Sequence, residues 1–136
     1  MIYLLDTNMI VYLMRNRPEI VARKIASLPR HDKVCMSFIT YSELLKGVYR
    51  SELSEKSKHK LELLAKHIDV LLPREAISEH YARLGAQLKQ QGTPIGNNDL
   101  WIAAHARSLG AVLVSNQSQI FQNISGLIIE DWTQAA

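Results

Sequence analysis

The chain has 136 residues, of which 47% are hydrophobic and 21% charged. That is enough apolar material for one globular domain and too little length for two, so residues 1–136 are read as a single domain, and a disordered chain is excluded. The 16 Lys and Arg against 13 Asp and Glu leave a net charge of +3, a mild basic bias that permits an anionic partner without naming one.

The single cysteine, Cys35, excludes an internal disulfide and suits a reducing compartment. Flanked by Val34 and Met36, it reads as a small buried hydrophobe. No apolar stretch approaches the ~18 residues of a membrane span. The N-terminus lacks a basic leader and a small-residue cleavage site, so it reads as the first strand of a cytoplasmic protein.

In chain order, Ile2–Leu5 predicts a buried strand, and Asp6-Thr7-Asn8 are residues that cap helices. A helix follows, with Ile10, Val11, Leu13 and Met14 on its apolar face, and a second runs from Pro18 to about Leu28. Lys33–Ser37 predicts the second strand. The Ser/Thr-x-x-Glu spacing of Thr40 to Glu43 predicts a capping box, with Glu43 opening a helix through Leu44, Leu45 and Val48. Another helix is expected from Ser54 to about His67, then a short strand Asp69–Leu72 and a long helix from Arg74 to about Gln90. After the loop 91–96, Asn97-Asn98-Asp99 start a helix closed by Gly110. Ala111–Val114 and Leu127–Ile129 complete five strands, with Trp132 packing the end of the last. Short apolar strands alternating with amphipathic helices predict an α/β sandwich around a mostly parallel sheet. Ligands of such sheets sit beyond the carboxyl ends of the strands.

Three acids fall at positions of interest. Asp6 follows the first strand, Glu43 lies after the second, and Asp99 joins them if its helix starts at the same end of the sheet. Each also has a structural reading as a helix cap or a dipole complement. A cluster of like carboxylates would repel, and a cation would let it persist; oxygen ligands favour Mg²⁺ or Mn²⁺ over zinc.

The stretches Leu4-Leu5-Asp6-Thr7-Asn8, Ser37–Leu44 and Gly92–Ala106, with the closing Gly126–Trp132, occur in order along nearly the whole chain. Together they resemble the motifs of PIN-domain ribonucleases, and most closely the VapC toxins of toxin–antitoxin pairs. The resemblance implies a PIN-like three-layer sandwich and a Mg²⁺-dependent endoribonuclease, with Mn²⁺ as a substitute. It implies Asp6 and Asp99 as direct metal ligands, and Glu43 as a ligand of a second metal or the residue that holds or activates water. It further implies a VapB-type antitoxin, a homodimer, and tRNA as substrate, the initiator tRNA being one candidate. Thr7 and Asn8 fall in the first motif as supporting residues. Ser115 matches a Ser/Thr that hydrogen-bonds a site carboxylate. The family's further acid or Asn before a Phe is Gln117 here, which carries no charge.

The basic stretch 46–60 reads as a solvated helix face. If it borders the pocket, Lys46 and Arg50 track the RNA backbone. His105 reads as a partly buried, satisfied histidine, and Trp101 as a packing residue rather than a base-stacking one. Two other readings remain open. A non-catalytic RNA-binding module is compatible with the missing fourth acid. A haloacid-dehalogenase-like phosphatase would require an acid where Asn8 stands.

Overall fold

A computed structural model describes residues 1–52 and 54–134. The strands are β1 (Ile2–Leu5), β2 (Lys33–Ser37), β3 (Asp69–Leu71), β4 (Val112–Val114) and β5 (Ile128–Glu130). They form one sheet in the order β3-β2-β1-β4-β5, and every pairing is parallel. The helices are α1 (Thr7–Arg15), α2 (Glu19–Ser27), α3 (Phe38–Tyr49), α4 (Ser54–Ala65), α5 (Ala76–Gln90), α6 (Asn97–Leu109) and the short α7 (Ser118–Phe121).

The sheet register sorts the core into two halves. Leu4 is level with Cys35 and Leu113, and Leu5 with Met36 and Val114. Side chains alternate across a strand, so the first set faces one way and the second the other. Leu4, Cys35 and Leu113 pack with Leu84, Leu88, Ile102 and Phe121 from α5, α6 and α7. Leu5, Met36 and Val114 pack with Met9, Ile10 and Val21 from α1 and α2, and with the indole of Trp132. The result is the expected three-layer sandwich. Burial pushes the Cys35 thiol up to about 12, so it is an inert core residue.

Three boundaries differ from the expectation in an informative way. Pro18 caps α2 instead of beginning it. β5 lies one residue further on. The helix after β2 begins at Phe38, capped by Ser37, whose hydroxyl accepts from the Ile39 amide at 3.1 Å. Thr40 and Glu43 therefore lie inside α3 and form no capping box. Strand β2 passes into its helix through Ser37 alone, which ends the strand and caps the helix at once. Asp6 joins β1 to α1 in the same way.

These one-residue junctions bring the N-termini of α1 and α3 to the carboxyl edge of the two central strands. Helix α6 precedes β4, and its first turn reaches the same edge, where Asn98 bonds Glu43 of α3. Its far end closes at Gly110, whose φ of 63° is the left-handed conformation glycine adopts without strain.

Candidate active site

Asp6 is 5% exposed, the most deeply buried of the three acids. One carboxylate oxygen accepts from the Met9 amide at 3.1 Å, capping α1, and the Ser115 hydroxyl also bonds the carboxylate. Burial nevertheless raises its pKa; the bonds from Ser115, Met9 and Asn8 oppose the rise, and nearby Asp99 adds to it. Asp99 stands in the first turn of α6. Its pKa is also raised, first by burial and then by the charge of Glu43. The electrostatics thus run from Asp6 to Asp99 to Glu43, three carboxylates from three helices sharing one edge of the sheet.

Glu43 is held at both oxygens. The Thr7 hydroxyl donates to Oε1 at 2.8 Å, and the Asn98 amide donates to Oε2 at 3.2 Å. The Thr40 hydroxyl lies 3.3 Å from that of Thr7. A hydroxyl has one proton; Thr7 gives its proton to the carboxylate, and Thr40 supplies the bond between the two hydroxyls. Glu43 therefore ties α1, α3 and α6 together, and its second-turn position gives it the reach to do so.

The remaining predicted residues lie at varying distances from this edge. The Asn8 side-chain amide donates to Asn116 Oδ1 at 3.5 Å, and Asn116 Nδ2 in turn donates to the Tyr12 hydroxyl at 2.8 Å. Ser115 also accepts from the Gln117 amide at 3.0 Å, which fixes the backbone of Gln117. Lys46 is exposed on α3 and Arg50 caps its C-terminus. Among the described residues, neither forms an ion pair with the carboxylates. Trp101 stacks on Tyr81 with ring centroids 3.7 Å apart, so this ring face is occupied by packing. His105 is fully buried, with Nδ1 2.8 Å from the Ser37 hydroxyl.

Asn98 has the carboxylate-orienting role that its place beside Asp99 suggested, whereas sequence reasoning missed Thr40 and Asn116 as supports. The signal for Thr40 was its i, i+3 spacing from Glu43, which places both on one side of a helix. The signal for Asn116 was its position just beyond a buried strand at the carboxyl edge.

The donor set is suited to a divalent cation. Among the described residues none of the three carboxylates is paired with Lys, Arg or His, so their mutual repulsion is uncompensated by protein. Also among the described residues, no group of three acidic, His or Cys side chains is placed to hold a metal ion together. Mg²⁺ does not require one, because it commonly takes one or two carboxylates and keeps several waters.

Comparison with known proteins gives the family. Residues 3–127 match the PIN domain family. Ribonuclease VapC1 of Haemophilus influenzae (strain R2866) is 52% identical over 134 residues, covering 98% of this chain and 100% of that protein. The tRNA(fMet)-specific endonuclease VapC of Shigella flexneri is 34% identical over 131 residues, 96% of this chain and 98% of its own. The solved structure of VapBC-1 from nontypeable Haemophilus influenzae superposes with a TM-score of 0.93 at 51% identity, covering 98% of this chain and 100% of that one. The chain belongs to the PIN domain family, among the metal-dependent VapC ribonucleases.

Proposed function

We propose that this ribonuclease is the toxin of a toxin–antitoxin pair. It hydrolyses RNA phosphodiester bonds, with tRNA as the substrate class, at the edge bearing Asp6, Glu43 and Asp99. The observation that carries the reading is the gathering of three carboxylates, from the start of α1, from α3 and from the start of α6, at one edge of the sheet, none of them ion-paired with a protein cation among the described residues. A relative 34% identical over its length is named for action on tRNA(fMet), which supports tRNA as the substrate. A solved relative is a VapBC complex, which supports a VapB-type partner.

Asp6 and Asp99 would hold Mg²⁺, or Mn²⁺ in its place. When bound, the cation supplies charge stabilisation at the scissile phosphate and a lower pKa for water. Ser115 and the α1 amides hold the Asp6 carboxylate in one orientation. Thr7 and Asn98 aim Glu43 across the gap, where it can orient the attacking water and take its proton. In-line attack by water leaves a 5′-phosphate and a 3′-hydroxyl. Attack by the RNA's own 2′-hydroxyl would call for an open general base such as histidine. His105, behind Ser37, is sealed from solvent.

The test is cleavage of end-labelled tRNA by the purified chain with Mg²⁺ or Mn²⁺, with chelator, and by Asp99→Asn. Cleavage should require the cation and the carboxylate. Equal cleavage in all three conditions would overturn the reading.

A further inference from the structure

A cleft of about 280 Å³ opens at Asp99, between the loop that precedes α6 and the α7 segment. Ile95 lines it from the loop and Ile120 from α7, and both are half-buried and anchored on the core. Asp99 is the one charged side chain in the lining, and no Lys, Arg or His joins it among the described residues. Thr93 Oγ1 is sealed from solvent in the wall. The polar side chains that a ligand can reach are therefore Asp99, Gln119 and Asn123.

The two amides differ from their neighbours in being unengaged. Asn97 accepts from Tyr81, Asn98 holds Glu43, and Asn116 donates to Tyr12. Gln119 and Asn123, both exposed, make no side-chain hydrogen bond among the described residues. A carboxamide offers two donors and a carbonyl acceptor, which matches the mixed donor and acceptor edge of a nucleobase. A phosphate presents acceptors alone. The cleft thus combines apolar walls with a few convergent polar groups, and it ends on a carboxylate of the candidate active site.

We propose that this cleft takes the base of a nucleotide next to the scissile phosphate, and that Gln119 and Asn123 read the edge of that base. The inference rests on the ribonuclease reading and adds two specificity-determining side chains to it. The occupant is a base rather than a phosphate because the lining has a carboxylate and no cation. It is a base rather than a basic peptide side chain because a cation held by Asp99 leaves the rest of the cleft neutral. The size fits as well: at roughly 30 Å³ per water, the cleft has room for about nine waters, close to the roughly ten heavy atoms of a purine.

The test uses the full chain and an RNA that it cleaves, with the position of the cut mapped. For each nucleotide flanking the cut, an RNA lacking that base is compared with the intact one. Removing the base that occupies the cleft should lower the parental kcat/KM at least about tenfold, the discrimination given by one well-placed amide pair. In Gln119→Ala with Asn123→Ala, intact RNA should already be cleaved roughly tenfold less efficiently, and removing that base should then cost roughly tenfold less than in the parent. Such non-additivity marks a direct contact, which general structural damage does not imitate. Gln122→Ala, exposed beside them but outside the cleft, should keep the parental difference. The same pattern should appear in RNA affinity measured on Asp99→Asn chains, which bind without cutting. Melting temperatures should match the parent, since the substituted side chains are exposed. Fully additive losses, or parental kcat/KM in the double variant, overturn the proposal. So does a double variant that cleaves as the parent does but no longer binds its co-expressed antitoxin, because the cleft would then hold a peptide. Each of these outcomes leaves metal-dependent cleavage, and so the ribonuclease reading, standing. A parent chain that cleaves no RNA with Mg²⁺ or Mn²⁺ overturns that reading, and the base site with it.

Discussion

The Thr7 hydroxyl donates a 2.8 Å hydrogen bond to Glu43 Oε1, joining the first turn of α1 to the second turn of α3. A hydrogen bond to a charged group is worth roughly 1.5–3 kcal/mol net, and about 1.4 kcal/mol is a tenfold change in rate. Because this pair is only partly buried, the lower end applies. Thr7→Val should therefore slow single-turnover RNA cleavage about tenfold, and Thr7→Ser should restore most of it. Equal rates for the Val and Ser variants would show that the bond does not position Glu43.

Removing single charges separates catalysis from folding. Asp6→Asn keeps an N-cap, since Asn caps as well as Asp, and it discards the buried charge. Loss of a cation ligand removes several kcal/mol of transition-state stabilisation, so cleavage should fall by roughly three orders of magnitude. Stability should move the other way. The Asp6 and Asp99 pKa values are raised in the fold by burial, so the unfolded chain ionises more readily. Their contribution is fully present below the unfolded pKa and is lost as pH rises through the folded one. The metal-free Asn variants should thus be at least as stable as the parent at pH 7, with the difference vanishing toward pH 3. Denaturant titration at both pH values measures it, and a variant less stable than its parent at pH 7 alone would contradict this sign.

The same repulsion predicts how the cation acts on the fold. Ligand at 100 times its Kd adds about 2.7 kcal/mol to stability. For a domain of this size each kcal/mol raises Tm by about 4 °C, so saturating Mg²⁺ or Mn²⁺ should raise it by about 10 °C. Asp99→Asn should lose most of this shift. A cation-induced shift that survives in Asp99→Asn would place the ion elsewhere.

Much of this was readable from residue order. The apolar strands, the capping residues after them and the all-oxygen character of the acids follow from local chemistry. The errors came where local and tertiary signals coincide. Thr40 to Glu43 has the spacing of a capping box, yet Ser37 wins the cap because β2 enters its helix without a loop. That shift moves Glu43 to the second turn and makes it available to Thr7 and Asn98. Which end of the sheet α6 starts from is a matter of chain path, and spacing alone holds no information about it. The bond from Asn98 to Glu43 fixes it.

His105 supplies a last test, of the cap that holds α3. The ring is fully buried, with Nδ1 on the Ser37 hydroxyl. Its Nε2 makes no hydrogen bond of ordinary geometry among the described residues. Burial lowers the pKa below its ordinary 6.5, and the Leu72 backbone carbonyl offsets only part of that. The folded chain therefore holds His105 neutral while the unfolded chain takes up a proton. Its contribution to stability is complete above the unfolded value and is lost as pH falls through it toward the folded one. Against His105→Asn, which can keep a bond to Ser37 but cannot titrate, the parent should lose up to about 1.4 kcal/mol of stability per pH unit below about pH 6.5. Comparing parent with variant removes Asp6 and Asp99, whose titration runs in the opposite direction. Ser37→Ala should cost about 1 kcal/mol at pH 7 through the lost cap. If parent and His105→Asn show parallel stability curves from pH 7 to pH 5, His105 is not held neutral by the fold.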